Sequence, residues 1–246
     1  ILDREHVKVA LSGEKTGEKA EEQPDGQKQD QVVLETGHIL IATGSVPACP
    51  PIPGSSLPGV VTSDGLLDKK DLFEHLIIIG GGVIGMEFAS VYSSLGHGVT
   101  VIEALDRILP TMDKEIAQNL KMIMKKRNVD IHTGAKVEEI LQTEDGAGLI
   151  CRYVEKDKPC EARADGILIA AGRRAYTGGL ITDESSQEVK DMAMERGRIV
   201  TDETYETSVP GIYAIGDVTG GIQLAHAATA QGRNAVAHMA GENMVI

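Results

Sequence analysis

Apolar residues along this chain occur in short runs that are separated by glycine-rich or charged segments. The four aliphatic residues at 76–79 form one such run, which is typical of a parallel strand buried on both faces. A glycine turn follows at once, then a helical pattern through Leu95, then a second apolar strand at 99–102. Strands and helices alternate from about 67 to 191 and close with a strand at 166–171. We therefore predict an α/β fold with a Rossmann-like parallel sheet in this region.

The segment before residue 47 has shorter elements. Its pattern predicts three strands, at 6–11, 31–35 and 38–42. The stretch 12–30 is almost entirely Gly, Glu, Lys, Gln and Asp, so we predict a solvated loop or a disordered segment there.

A proline-rich connector and a late strand and helix suggest the domain organisation. Four prolines between residues 47 and 53 stiffen the backbone and indicate a crossing between domains. After residue 197 the pattern predicts a short strand, a strand at 211–215 and an Ala-rich helix at about 225–239. We therefore divide the chain into three segments. Segments 1–66 and 193–246 are expected to be remnants of a second Rossmann-like domain, and segment 67–192 is expected to be the domain that contains the glycine turn.

The glycine turn after the first buried strand has the spacing of a dinucleotide-binding fingerprint. Gly80 permits the tight turn, Gly82 lets the backbone approach a pyrophosphate, and Gly85 lets the helix pack against the strand. Glu103 ends the second strand, 21 residues after Gly82, where a ribose-binding acid is expected. The alternative is a tight strand-to-helix turn without a ligand. The candidate NAD-binding residues of this segment are Gly80, Gly81, Gly82, Val83, Ile84, Gly85 and Glu103.

Glu103 also indicates which nicotinamide cofactor is preferred. A carboxylate about 4 Å from a 2'-phosphate would cost about 4 kcal/mol per unit charge at an effective dielectric constant of about 20. We therefore expect NAD rather than NADP, although Arg107 could reduce the repulsion.

Composition excludes some partners and indicates a compartment. The 37 acidic and 24 basic residues give a formal charge of -13, and the chain has no Trp and two Phe, so nucleic acid is not expected as a partner. The longest apolar stretch, 76–86, is interrupted by glycines and is too short to span a membrane. The first residues carry neither an initiator Met nor a secretion signal. We expect a cytoplasmic protein whose chain begins in mid-fold.

The three cysteines do not have the spacing of a disulfide framework or a metal site. Cys151 and Cys160 flank a turn-like segment and could face each other across a hairpin. In a reducing compartment we expect Cys49 and both of these to be inert thiols.

Several segments in combination resemble one family of enzymes. They are residues 76–103, the run Glu-Ala-Leu-Asp-Arg-Ile-Leu-Pro at 103–110, Gly172-Arg173-Arg174, and the run at 207–217 that ends Ala-Ile-Gly-Asp. Together they are similar to the flavin-dependent pyridine nucleotide-disulfide oxidoreductases, and within that family to the dihydrolipoamide dehydrogenases. The resemblance implies hydride transfer between NAD and FAD, followed by electron exchange with a dithiol.

The resemblance also implies roles for individual residues. Glu87 matches an acid near the nicotinamide and the flavin, Val137 a residue beside the adenine, and Gly172 one beside the nicotinamide. Asp217 matches the carboxylate that hydrogen-bonds the ribityl chain of FAD. The remaining matches to the flavin site are Thr43, Gly44 and Ser45, and the helix start Gln223, Leu224, Ala225 and His226.

The sequence departs from the family pattern in several places. It contains neither the glycine fingerprint of the flavin domain nor the Cys-x4-Cys redox pair, and His238 and Glu242 do not have the spacing of the His-x4-Glu catalytic pair. Ala175-Tyr176 stand where the family has Pro-Asn. We therefore expect NAD binding, no catalytic residue and no metal site in this chain, with FAD held by the intact parent enzyme.

The resemblance leaves the wider function open. The parent enzyme is expected to be a homodimer and a possible component of a 2-oxo acid dehydrogenase complex, with small-molecule cofactors as its ligands. The alternatives are another NADH-flavin oxidoreductase of the same fold, such as an NADH oxidase or a ferredoxin-type reductase, and a non-catalytic NAD-binding module.

Overall fold

The computed structural model describes residues 1–10 and 31–242. The polar stretch predicted at 12–30 lies outside the described residues. The chain forms two compact units. We call Pro47–Arg173 the central unit, and we call Ile1–Val46 together with Arg174–Ile246 the split unit.

The helices and strands are numbered in chain order. The first segment contains β1 (His6–Ala10), β2 (Gln31–Glu35), β3 (Ile39–Ile41) and β4 (Ser45–Pro47). The middle segment contains β5 (Val60–Thr62), α1 (Ser63–Leu67), β6 (His75–Ile79), α2 (Val83–Ser94), β7 (Gly98–Glu103), α3 (Lys114–Lys126), β8 (Val129–Thr133), β9 (Ala135–Gln142), β10 (Leu149–Glu155), β11 (Lys158–Ala164) and β12 (Gly166–Ile169). The last segment contains β13 (Arg173–Ala175), α4 (Gln187–Lys190), β14 (Met194–Glu195), β15 (Arg198–Ile199), β16 (Ile212–Ala214), a 3₁₀ turn (Gly216–Val218) and α5 (Ala225–Met239).

A five-stranded parallel sheet forms the centre of the central unit, which confirms the predicted α/β fold. Its strand order is β5-β12-β6-β7-β8, and every neighbouring pair is parallel. The order reverses at β6, because β7 and β8 follow on one side while β12 and β5 lie on the other. In open parallel sheets, such a switch point leaves a crevice at the carboxyl ends of the strands, where ligands bind.

The two faces of this sheet are covered differently. Alternate residues of each strand point to opposite faces. Leu76 and Ile78 belong to the apolar cluster that contains Met86 of α2 and Met124 of α3, so the helices cover one face. Ile77 and Ile79 belong to a second cluster with residues of the antiparallel sheet β11-β10-β9, which covers the other face. This burial on both faces explains the unbroken apolar run that the sequence shows at 76–79.

The split unit contains a smaller parallel pair and the longest described helix. β3 and β16 pair in parallel, from Ile39 opposite Ile212 to Ile41 opposite Ala214. β1 and β2 form an antiparallel pair. The last helix, α5, has the bounds that the Ala-rich pattern predicted.

Two segments lie in a different unit from the one that the sequence predicts. Residues 174–192 are expected with the middle segment but belong to the split unit. Residues 47–66 are expected with the first segment, but β5 pairs with β12 at the edge of the central sheet. This strand has only three residues, all of intermediate burial, so it is too short to show an alternating pattern.

Across the described ranges, 1–10 and 31–242, no helix combines the length and apolar character that crossing a membrane requires.

Replacing Ile78 with Ala should lower the free energy of unfolding by about 2–5 kcal/mol, because the lost side chain leaves a cavity in the middle of the sheet. Ile78 is fully buried, whereas Ile116 of α3 is 58% exposed. Urea unfolding of Ile78→Ala should therefore show a much larger loss than the control Ile116→Ala. Equal losses would contradict the described packing.

Candidate functional site

The glycine turn after β6 is built from backbone approaches that a side chain would prevent. Gly80 has φ +114, and a Cβ there would overlap the carbonyl oxygen of Ala170, just after β12. A Cβ on Gly85 would overlap the carbonyl oxygen of Gly80, so the start of α2 packs directly on the turn. A Cβ on Gly82, in contrast, would meet no atom within 4 Å. Two of the three glycines are therefore required by packing, and the third faces open space.

The amino end of α2 begins at that open space. Gly82 is the N-cap residue, and no side chain caps the helix. The first amides of a helix have no partner within the helix, and the helix dipole places positive charge there. Val83 is exposed and Ile84 is half-buried. The turn can therefore accept a phosphate group at the backbone amides of residues 82–85.

Glu103 lies beside the turn at the end of β7 and is 8% exposed. Its Oε2 accepts a hydrogen bond of 2.5 Å from the amide of Gly81, and its Oε1 accepts one of 2.7 Å from the amide of Leu105. A carboxylate has about four acceptor positions. The two bonds leave capacity for the hydroxyl groups of a ribose, so the arrangement fits the acid of a dinucleotide site.

The loop after Glu103 holds the other side of the glycine turn, which sequence reasoning did not foresee. The amide of Leu109 donates a 2.8 Å hydrogen bond to the carbonyl of Gly81. Leu109 has φ +46, a conformation that non-glycine residues rarely adopt, and its side chain is 7% exposed. Both backbone polar groups of Gly81 are therefore held in place, the amide by Glu103 and the carbonyl by Leu109. Arg107 donates to the carbonyl of Pro110 at 2.8 Å, so its guanidinium is tied to its own loop.

The three residues assigned to the nicotinamide and adenine ends all lie in the central unit. Glu87 is exposed on α2. Gly172 has φ +113, and a Cβ there would meet no atom within 4 Å. Val137 lies in β9, is half-buried, and packs against the cluster that includes Ile102. Arg173, next to Gly172, pairs with Asp64 of α1 at 3.1 Å.

The split unit brings together residues that are far apart in the sequence. Ser45 donates a 2.5 Å hydrogen bond to the carboxylate of Asp217, 172 residues away. The parallel pairing of β3 with β16 explains this meeting, because the carboxyl ends of parallel strands lie at the same edge. Thr43 donates to the carbonyl of Tyr176 at 2.6 Å, and Gly44 turns with φ +70.

The start of α5 follows in the same unit. Leu224 is its N-cap, without a side-chain hydrogen bond to the helix. Gln231, one residue that sequence reasoning missed, accepts a 2.7 Å hydrogen bond from the amide of Gly216 through its Oε1 and so links α5 to the turn that carries Asp217. The four residues named for this helix start are all exposed: Gln223, Leu224, Ala225 and His226.

The cysteines occupy unrelated positions. In the β10–β11 pairing, Cys151 lies opposite Ala162 and Cys160 lies opposite Tyr153, so the two cysteines do not face each other as the hairpin alternative required. Cys49, Cys151 and Cys160 are free thiols. Burial raises the pKa of Cys151 to about 12. In the described part of the chain, no three His, Cys, Asp or Glu residues are arranged to hold a metal ion.

The parallel sheet, its switch point and the glycine turn beside a buried acid define an α/β protein with an open parallel sheet. The family model described as pyridine nucleotide-disulphide oxidoreductase matches residues 2–232. The chain belongs to this family.

Three similar proteins make the comparison specific. The dihydrolipoyl dehydrogenase of Bacillus subtilis strain 168 is 40% identical over 227 residues, which are 90% of this chain and 45% of that protein. The dihydrolipoamide dehydrogenase of Chaetomium thermophilum is 41% identical over 194 residues, which are 78% of this chain and 37% of that protein. The structure of the HOCl-induced flavoprotein disulfide reductase RclA of Escherichia coli, as its Cu(II) complex, superposes with a TM-score of 0.76 at 36% identity and covers 86% of this chain and 47% of that one. The chain thus spans half or less of the length of each of these three proteins.

Thiol labelling should follow burial and pKa. At about pH 8 we expect a maleimide or disulfide reagent to modify the exposed Cys49 first and to leave Cys151 unmodified until the protein unfolds, because reaction requires an accessible thiolate. Mass spectrometry of tryptic peptides measures this order. Rapid modification of Cys151 in the folded protein would be inconsistent with its buried position.

Proposed function

We propose that the central unit binds NAD(H) and that the chain forms the nicotinamide-binding part, together with part of the flavin-binding part, of a flavin-dependent oxidoreductase similar to dihydrolipoamide dehydrogenase. The observation that carries this proposal is the Glu103 carboxylate, which lies buried at the end of β7 against the amide of Gly81. A strand end, an uncapped helix start and an acid in this relation suit a ribose and a pyrophosphate together.

Each part of the nucleotide has residues suited to it in the central unit. The pyrophosphate suits the amides at the start of α2, where Gly82 leaves space, and the adenosine ribose suits Glu103. The adenine suits the side of Val137, and the nicotinamide suits Gly172 and Glu87. When bound, the nicotinamide supplies hydride transfer. The chain's own residues bind the nucleotide and orient it.

The split unit supplies residues for part of a flavin site. Asp217 keeps acceptor capacity beyond its bond to Ser45, which suits the hydroxyl groups of a ribityl chain. The uncapped start of α5, from Leu224, suits negative charge on a reduced flavin ring. The sequence contains one glycine fingerprint, in the central unit, so this chain supplies no second one for the pyrophosphate of FAD.

The family resemblance suggests the reaction and the partners of the whole enzyme. We propose dithiol-disulfide exchange with lipoamide as the substrate of the whole enzyme, a homodimer as its assembly, and a 2-oxo acid dehydrogenase complex as its setting. The second candidate is a flavoprotein disulfide reductase with a different substrate, and the similarity to RclA favours it. Either reaction uses the same nucleotide site.

NADH should bind more tightly than NADPH, because a 2'-phosphate near Glu103 would bring like charges together. In Glu103→Ala, we expect the ratio of the two dissociation constants to fall by at least about tenfold, a part of the roughly 4 kcal/mol that the repulsion can cost. NADH itself should also bind more weakly, because the amides of Gly81 and Leu105 lose their acceptor. Fluorescence titration with both nucleotides measures the ratio.

The control for this test is Glu138→Ala, which removes an exposed acid of β9 from the same unit. It should leave the ratio unchanged. Glu103→Gln should also destabilise the turn, since its amide group would place a donor against one of the two backbone donors. Equal affinity of the unmodified chain for NADH and NADPH would refute the role of Glu103.

The 246-residue chain with added FAD, NAD and dihydrolipoamide should give no turnover above background. Thiol exchange needs a reactive thiolate with a resolving thiol nearby, and here Cys151 is buried with a raised pKa and does not face Cys160. Absorbance at the NADH maximum measures the reaction. Turnover that disappeared in Cys151→Ser or Cys160→Ser would instead show a redox centre within the antiparallel sheet of the central unit.

A further inference from the structure

His132, on the edge strand β8, lies between two carboxylates. Its Nδ1 is 2.8 Å from Oε2 of Glu155 on β10, and its Nε2 is 3.1 Å from Oδ2 of Asp130 on its own strand. The His132 and Glu155 side chains are each 22% exposed, so solvent screens their pair less than the pairs on the open surface. This bridge joins the parallel sheet to the antiparallel sheet that covers it.

Three polar groups surround the two ring nitrogens. Nδ1 faces Glu155, and Nε2 faces both Asp130 and the hydroxyl of Tyr153. A neutral imidazole carries one N–H group and one acceptor nitrogen, so the ring can donate to Glu155 through Nδ1 while Nε2 accepts from Tyr153. The hydroxyl of Tyr153 is 3.3 Å from Nε2, and its ring lies 5.2 Å from the imidazole, centre to centre. Burial raises the pKa of Tyr153 to about 12, so the phenol stays neutral.

The bridge lies next to the wall that we assign to the adenosine. In the β7–β8 pairing His132 lies opposite Ile102, and the next residue, Thr133, lies opposite Glu103. The amide of Gly134 then donates a 2.7 Å hydrogen bond to the carbonyl of Leu105, whose own amide donates to Glu103. On the other side of the turn, Glu155 lies opposite Ala135, and Tyr153 lies opposite Val137.

We propose that His132 is a positioning residue for the adenosine half of the nucleotide, and that its bridge to Glu155 and Asp130 fixes the turn 133–135 against the Glu103 loop. The inference rests on the proposed NAD site.

The first test separates the two halves of the nucleotide. ADP-ribose carries the adenosine and the pyrophosphate, and reduced nicotinamide mononucleotide carries neither the adenosine nor its ribose. In His132→Gln we expect the affinity for ADP-ribose to fall about tenfold, which corresponds to the loss of one charge-assisted hydrogen bond. The affinity for the mononucleotide should stay within about twofold of wild type. The control is His6→Gln, which breaks a similar pair, between His6 and Asp3 at 2.9 Å, in the split unit.

The second test changes the other partner of the bridge. Glu155→Gln keeps an oxygen acceptor for Nδ1 but removes the negative charge, so the affinity for ADP-ribose should fall by less than in His132→Gln, with the affinity for the mononucleotide unchanged. Calorimetric titration measures both affinities. This variant also serves if His132→Gln does not fold.

The outcomes are distinct. If wild type binds ADP-ribose but His132→Gln binds it equally well, or loses both ligands equally, the positioning role is wrong and the NAD site stands. If wild type does not bind ADP-ribose at millimolar concentration, the proposed NAD site fails and the inference fails with it.

Discussion

A buried carboxylate is stable in a protein only when hydrogen-bond donors replace the water it has lost, and Glu103 obtains two of them from the backbone. One donor is Gly81, in the turn after β6, and the other is Leu105, in the loop after β7. The position of the acid therefore depends on two strand ends being adjacent, which the parallel pairing of β6 with β7 provides. In return, the carboxylate holds the turn at which α2 starts, where we propose that the pyrophosphate binds.

The rest of the central unit maintains this contact. Helices pack on one face of the sheet and the antiparallel strands on the other, so β6 and β7 are buried from both sides. The loop after Glu103 returns to the glycine turn through Leu109. Near the start of the same loop, the carbonyl of Leu105 accepts a hydrogen bond from the amide of Gly134, just after β8. Three consecutive strand ends are thus linked by backbone hydrogen bonds at one edge of the sheet. The NAD-binding role assigned to that edge remains our proposal, and membership of the oxidoreductase family supports it.

Local patterns in the sequence predicted the elements that repeat a simple period. The apolar run of β6 and the Ala-rich pattern of α5 were sufficient for those elements, and the glycine spacing placed the turn. The position of β5 could not be predicted in this way, because three residues carry too little pattern and their partner, β12, lies about a hundred residues later. The role of Leu109 was also missed, since a left-handed leucine has no signal in a single sequence. The hydrogen bond between Ser45 and Asp217 follows from strand pairing; the family resemblance assigned both residues to the flavin site but did not predict their contact.

The double attachment of the Gly81 peptide has a consequence for how such a site can evolve. With the role that we propose for Glu103, a change of cofactor preference would require this acid to be lost, yet the same acid satisfies the amides of Gly81 and Leu105. A variant that exchanged it alone would leave buried donors unpaired. Substitutions that alter the preference should therefore arise together with changes in the loop that supply a new acceptor, so that residues 103 to 109 vary as a group among descendants of this sequence.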